Sequence, residues 1–365
     1  MQIELNFITA FLIAVISQSI FAAFILFVSR NNQHPNRLLA ALIVILALWL
    51  SDHFMRISGI YRQMPNLYFL PIFYSLAFGP LIWFYVRSLT NSNYKINQKE
   101  LIHLVPVAFQ ALLYWVLAFS PYTTKYWFWE HIHKPYTYRL EFDGTWISMV
   151  IYLSLSLRLV KDYQIWLADH YSETSKIRLN WLKAVLLALI IVCLQWFIEV
   201  VLREFMGIYF NYDYSVQLLG LLILILGVAG LRQSSLAGIV YQPGKREDAA
   251  QPFQTDPLIL ERLINAMEHD RLFLNPTLTL AEMSAYLKLS PRLVSKHINQ
   301  GLGLSFIDFV NRYRIDEVKR RLRAGDLTKL TLLAIAQESG FNSKSSFNRI
   351  FRDSEGIAPS DFPAN

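Results

Sequence analysis

The sequence predicts an all-α fold in two parts: a seven-helix transmembrane bundle, then a domain of two helix-turn-helix units joined by a long helix. Three observations carry that expectation. Long apolar runs recur through the first two-thirds of the chain, the texture turns polar after Leu231, and amphipathic helical spacing begins at Asp256. The 365 residues are 54% hydrophobic, 15% aromatic and only 17% charged. Soluble domains carry about 25% charged residues.

The apolar runs are 7–28, 38–57, 67–89, 101–119, 145–160, 181–202 and 214–231. A stretch of roughly 18 apolar residues crosses a hydrocarbon core about 30 Å thick. A buried core helix explains one such run, but seven in succession leave too little polar sequence to cover them. The fifth is the weakest, because Arg158, Lys161 and Asp162 crowd its end. Trp49, Trp83, Trp146 and Trp181 stand near run ends, where interfacial aromatics belong. The first run has no basic residue ahead of it, so it reads as a span rather than a cleaved signal.

The resulting orientation puts the N-terminus outside and the C-terminus in the cytoplasm. Inner loops then carry Arg30, Arg37, Arg87, Lys95, Lys99, Arg158, Lys161, Lys176 and Arg178. Outer loops carry the smaller set Arg56, Arg62, Lys125, Lys134, Arg139 and Arg203. The bias has the sign expected of an inner (cytoplasmic) membrane protein in contact with lipid. Cys193 is the single cysteine, which excludes an intrachain disulfide.

Three divisions follow: a membrane part at 1–232, a linker at 233–255 rich in Gly, Pro, Gln and Ser, and a helical domain at 256–365. The last part holds 15 Lys and Arg against 13 Asp and Glu. Net charge therefore says little about its partner, and the placement of charges must do so.

In that part, Thr279 and Glu282 form a capping box ahead of Leu280, Met283 and Leu287. Lys288 and Leu289 make a turn. Ser290 then caps a second helix with Pro291 at its first position. Val294 and Ile298 point inward, which leaves Arg292, Ser295 and Lys296 outside, where a reading helix meets base edges. The pattern recurs from Leu332. Gly340 ends a helix, Ser343 caps the next, and Phe347, Ile350 and Phe351 form its buried stripe. Lys344, Ser345, Asn348, Arg349 and Arg352 lie outside the stripe. Between the units, residues 305–323 read as one helix with Phe306, Val310, Tyr313, Val318 and Leu322 buried. Arg312, Arg314, Lys319, Arg320, Arg321 and Arg323 are left on its charged faces. A rigid helix between two reading units suits two major-groove segments about 34 Å apart.

The spaced residues Ala336, Gly340, Phe341, Ser346, Phe347, Arg349, Phe351, Arg352, Gly356 and Pro359 resemble the signature of the AraC/XylS family of bacterial transcriptional regulators. The first unit resembles the family through Ser290, Pro291, Lys296, Gly301 and Gly303. The resemblance covers about a hundred residues. It implies a seven-helix domain with two helix-turn-helix units bridged by a long helix, double-stranded promoter DNA as partner, and control of transcription. The base-facing residues by position are Arg292, Ser295, Lys296, Lys344, Ser345, Asn348 and Arg349, with Arg352 nearer phosphate. The ending SDFPAN departs from the usual aromatic–Arg ending, and Ile298 replaces an aromatic. The whole chain reads as a membrane-held one-component regulator, with RNA polymerase and a second copy of the chain as further expected partners.

An unknown signal ligand needs a site. Asp52, His53 and Arg56 end the second run, and Glu199, Arg203 and Glu204 end the sixth, at one level near the outer surface. Ionisable residues there face the bundle or water. Ordinary interfacial charge is the plainer reading of the same residues. Glu130, His131 and His133 in an aromatic loop are read as surface residues rather than metal ligands. No phosphate loop, nucleophile elbow or HExxH motif is present, so neither an enzyme nor a cofactor is implied. The competing class is a transporter or membrane enzyme with a regulatory tail, for which intramembrane polar relays would speak.

Overall fold

The computed structural model describes residues 4, 6–208, 214–236, 238–241 and 255–363, with the side chains of 203, 204 and 214–217 also left out of description. Its regular structure is helical, with two isolated antiparallel bridges. The chain divides into two compact units: Met1–Lys161 with Leu179–Gln242, and Asp162–Arg178 with Pro243–Asn365.

Among the described residues the first unit has seven longer helices, α1 (Phe7–Val28), α2 (Gln33–Ile57), α3 (Phe78–Thr90), α4 (Val105–Ala118), α5 (Tyr138–His170), α6 (Asn180–Met206) and α7 (Tyr214–Arg232), besides short helices at Ile60–Gln63 and Tyr122–Phe128. Each apolar run falls at least partly on one of them. Asn6 starts α1 with a capping box to Thr9, satisfying donors that a helix start otherwise strands. Gly79 lets α3 approach α5 closely: a Cβ there would stand 2.5 Å from the Tyr152 ring and 2.6 Å from the Ser148 hydroxyl.

Among the described residues, four helical segments are long and apolar enough to cross a membrane: Phe7–Val28, Gln33–Ile57, Gln98–Ala118 and Asn180–Leu202. Four of the expected seven thus meet both length and composition among the described residues. The run from Leu67 fails because Phe69 adopts a positive φ of 61° and Pro71 follows, so helix begins only at Phe78. The fifth run sits inside α5, whose 33 residues carry charges at both ends. The described apolar part of α7 is short, Leu218–Arg232.

Composition also starts the linker too early. The Asn32 side chain donates to the carbonyls of Gln233 (3.3 Å) and Ser234 (3.0 Å) and accepts from the Leu236 amide (3.0 Å). Asn91 pairs with Val240, and Leu236, Ile239 and Tyr241 are buried. Residues 233–236 and 238–241 therefore pack within the first unit. Of the remaining linker, 242–254 lie outside the described residues.

The second unit holds α8 (Pro257–Glu268), α9 (Leu280–Leu287), α10 (Pro291–Lys296), α11 (Phe306–Arg323), α12 (Leu332–Glu338) and α13 (Lys344–Glu355). Among the described residues of its C-terminal part, six α-helices stand where the resemblance implies seven; Leu272–Leu274 and Pro359–Asp361 are 3-10 turns. There are two hydrophobic cores. One gathers Leu263, Phe273, Met283, Val294 and Ile298, and the other Ile335, Phe341, Phe347 and Phe351. The helix α11 feeds both: Phe306, Phe309 and Val310 enter the first core, and Ile315, Val318 and Leu322 the second. Its 18 residues span about 27 Å. The cores are thus tied by one rigid rod.

This unit has a part the sequence did not assign to it. The last turns of α5, from Asp162, and the segment through Arg178 group with the C-terminal helices. Tyr171 pairs with Thr279, and Ser172 donates to the Leu278 carbonyl through both its amide (3.1 Å) and its hydroxyl (2.6 Å).

Candidate nucleic-acid interface

Both helix-turn-helix units form as their caps dictate. Thr279 accepts from the Glu282 amide at 3.2 Å, and Glu282 accepts from the Thr279 amide at 2.8 Å. Lys288 turns the chain with a φ of 54°, and Ser290 caps α10. In the second unit Gly340 takes a φ of 92°, and a Cβ there would collide with the Phe273 carbonyl. Only glycine satisfies both demands. Ser343 caps α13 through the Ser346 amide at 3.2 Å.

On α13, Lys344, Ser345, Arg349 and Arg352 are exposed and Asn348 is half-buried. Ser345, Asn348, Arg349 and Arg352 lie off the Phe347–Phe351 stripe by periodicity, whereas Lys344 shares its side and is exposed at the first position of the helix. Arg349 makes one weak ion pair, with Asp353 at 3.4 Å, so its guanidinium remains available. On α10, Arg292 is exposed and Lys296 is half-buried.

Ser295 corrects the sequence reading: it is 9% exposed, not open. At about 100° per residue it lies about 60° beyond Ile298, and this short helix is buried over a broad arc. His297 widens the arc, accepting from the Asp256 amide at 3.1 Å, and the Asn299 amide covers the Ser295 hydroxyl at 3.4 Å. The reading also missed Asn299, which is exposed. The helical winding continues past Lys296 as a wide turn, His297–Gly301, and so carries Asn299 onto the face of Arg292 and Lys296. Spacing of i+3 and i+7 from these residues is the signal that would have found it.

The charged faces of α11 are mostly spent internally. Arg321 binds Asp326 (2.7 Å) and Glu338 (2.6 Å), and Lys319 binds Glu355 (3.0 Å) and Asp316 (3.1 Å). Arg320 holds Glu317 through two bonds of 2.8 Å, and Arg271 adds a third at 2.5 Å. The Arg320 hydrogen bonds, followed by those of Arg271, hold the Glu317 carboxyl below its ordinary range against the opposing effect of burial. Arg312 and Arg323 remain exposed.

Arg314 corrects the reading most. It was placed on a charged outer face and is 1% exposed. Its guanidinium donates to the carbonyls of Phe273 (2.9 Å) and Asn275 (2.7 Å), to Asn311 Oδ1 (3.2 Å), and to the hydroxyl (3.1 Å) and carbonyl (3.4 Å) of Ser172. Burial pushes its pKa down to about 10, partly offset by the nearby Glu173 charge, so it stays cationic at neutral pH.

Residues 283–365 match a family model described as a helix-turn-helix domain. The C-terminal region is an AraC-type helix-turn-helix domain. Uncharacterised HTH-type transcriptional regulators of Staphylococcus aureus strains COL and MRSA252 are each 32% identical over 92 residues. The matches cover 25% of this chain and 12% of the length of either relative. No solved structure matches. The matched domain is a binding module of regulators rather than of enzymes.

The residues proposed for signal sensing do not all meet. Asp52, His53 and Arg56 line a cavity of about 180 Å³ with Trp49, Phe142 and Trp196. Asp52 accepts from Tyr61 at 2.5 Å and from Arg56 at 3.2 Å. Glu199 is absent from that wall, and its carboxylate accepts from the Gln195 amide instead. The side chains of Arg203 and Glu204 lie outside the described residues. A buried polar chain adjoins the cavity and went unread: Thr145 donates to Ser75 (2.7 Å) and Tyr114 to Glu141 (3.1 Å). Glu141 and Thr145 are four apart on α5, a spacing that points both to one side. His131 and His133 are engaged separately, beside the Trp127 carbonyl and the Thr137 hydroxyl.

Proposed function

We propose that the chain is a membrane-anchored, one-component transcriptional regulator that reads promoter DNA through α10 and α13. What carries the reading is the pairing of two features in one chain. Four helical segments are long and apolar enough to span. A helix-turn-helix domain follows, with Arg292 and Lys296 on one reading helix and Lys344, Arg349 and Arg352 on the other. A helix N-terminal half with cations on its open face enters a major groove, and phosphate contacts then fix the register. A DNA-binding part at 256–365 and an N-out, C-in orientation belong to the same proposal. So do a homodimer, RNA polymerase as a partner, and a signal ligand in the cavity beside Asp52.

The deciding experiment is binding of residues 256–365 to duplexes over a range of salt. Affinity should fall steeply as salt rises, because neutralised phosphates release counterions. A folded fragment with no salt-dependent duplex binding would refute the reading. Reporter fusions after Ala237 test the orientation independently and should report cytoplasm.

A further inference from the structure

One flank of the second reading helix is already occupied. Ser346, on α13 one turn before Arg349, is 4% exposed, and its hydroxyl donates to the Glu173 carboxylate at 3.4 Å. Arg349 itself lines a cavity of about 470 Å³ together with Gln164, Ala168, Thr174 and Arg178. Asp308 and Arg312 of α11 close its side. The segment 162–178 is anchored next to this cavity by the Tyr171–Thr279 bridge, the two Ser172 bonds to Leu278, and Arg314.

A helix that reads bases enters a groove about 12 Å wide and 8.5 Å deep, walled on both sides by phosphates. The flank at Ser346 is where one of those walls must pass. A docked protein segment fills that space, and the Glu173 carboxylate opposes phosphate there. We propose that residues 162–178 are an intramolecular brake: docked, they keep α13 out of the groove, and operator binding requires their release.

The brake has a handle. The segment continues from α5 without interruption through His170, so it cannot leave its seat independently of the helix that carries Thr145 and Tyr152. A ligand that favours one placement of α5 favours one docking state of the segment by the same free energy. This rests on the proposed DNA-binding function, and the test separates the two.

The test uses the full chain, with Cys193→Ser, Tyr171→Cys and Thr279→Cys. Residues paired across an antiparallel bridge have Cα atoms about 4.5–5.5 Å apart, within disulfide reach. The probe is a duplex selected from a randomised library by the wild-type full chain. Oxidation locks the segment in place and should weaken binding about ten-fold or more, with recovery on adding dithiothreitol. The reduced protein is its own folding control. A second variant, Ser172→Gly with Glu173→Ala, loosens the seat and should tighten binding by a comparable factor. Oxidation that leaves affinity unchanged or raises it overturns the brake, as does weaker binding by the loosened variant. Failure of both the wild-type chain and the loosened variant to bind any duplex overturns the DNA-binding reading, and the brake with it.

Discussion

The guanidinium of Arg314 meets the hydroxyl of Ser172 at 3.1 Å, across 142 positions of sequence. The same guanidinium also holds the Phe273 and Asn275 carbonyls. One side chain thus joins the rod between the two reading units, the start of the first unit, and a segment from far upstream.

Removing it strands acceptors. Arg314→Ala leaves the Phe273 and Asn275 carbonyls without this donor, at up to about 1–3 kcal/mol for each group that stays buried and unsatisfied. Urea unfolding of residues 256–365 should show a midpoint well below that of the unsubstituted fragment. Arg314→Lys should fall between them, because a compact ammonium cannot reproduce the planar fork. Equal midpoints for Ala and Lys would mean that packing, not hydrogen bonding, explains the loss.

Glu317 gives the second unit a pH dependence of known sign. Its folded pKa lies below the ordinary value, through Arg320 first and Arg271 after it. A depressed carboxyl stabilises the fold above its unfolded pKa of about 4.3, and that contribution is lost as pH falls through the folded value. Both arginines are partly exposed, so the effect is screened and amounts to about 1 kcal/mol. Glu317→Gln should lower the urea midpoint near neutral pH, and the gap to the native sequence should close in acid. A gap that persists unchanged in acid would assign the effect to packing.

Much of the second unit was legible because its signals are local. Thr279 with Glu282, Ser290 with Pro291, and Gly340 before Ser343 each act within a few residues, and each forms as read. The buried stripe of α11 was likewise legible at Phe306, Val310, Val318 and Leu322. Arg314 was not, because helical periodicity cannot say that carbonyls from residues 273 and 275 will meet a charged side chain. Ser172 was invisible for the same reason. In the first unit, apolarity located the helices but overstated the one expected from Leu67, which begins at Phe78. Hydropathy does not register the positive φ at Phe69, and the charges of α5 lie at the ends of a helix longer than its apolar run. Among the sensing candidates, the spacing of Asp52 and Arg56 placed them together, whereas Glu199 does not line their cavity.

Asp52 is the residue of choice for testing the cavity in the first unit. Asp52→Asn keeps its size but removes the charge that Arg56 and Tyr61 both address. Promoter output in cells should change at unchanged protein level, whereas Glu199→Gln, whose side chain lies off that wall, should leave it near wild type. If Asp52→Asn responds like wild type across growth conditions, the cavity takes no part in signalling.

The first reading helix separates a buried neighbour from exposed readers. Asn299→Ala should weaken duplex binding by about 1–3 kcal/mol if its amide reads a base edge, and relax preference at one position. Ser295→Ala should leave base preference intact, because the hydroxyl is covered. A specificity change from Ser295→Ala with none from Asn299→Ala would reverse these assignments.

The second reading helix distinguishes reading from grip. Arg349 projects from the open face of α13, two turns from Gly356, and its pairing with Asp353 at 3.4 Å is weak enough to exchange. A guanidinium can bond both O6 and N7 of guanine, which an alanine cannot imitate. Arg349→Ala should therefore cost about 1–3 kcal/mol on the selected duplex and flatten preference at one base pair. Arg352 lies nearer the helix end, where phosphate is the closer partner. Arg352→Ala should weaken all duplexes alike and reduce the salt slope by about one ion. Affinities for the selected duplex and for single-base variants, each measured at several salt concentrations, tell the two apart. Uniform weakening by Arg349→Ala, with the slope reduced, would reassign it to phosphate, because only a base contact makes the cost depend on sequence.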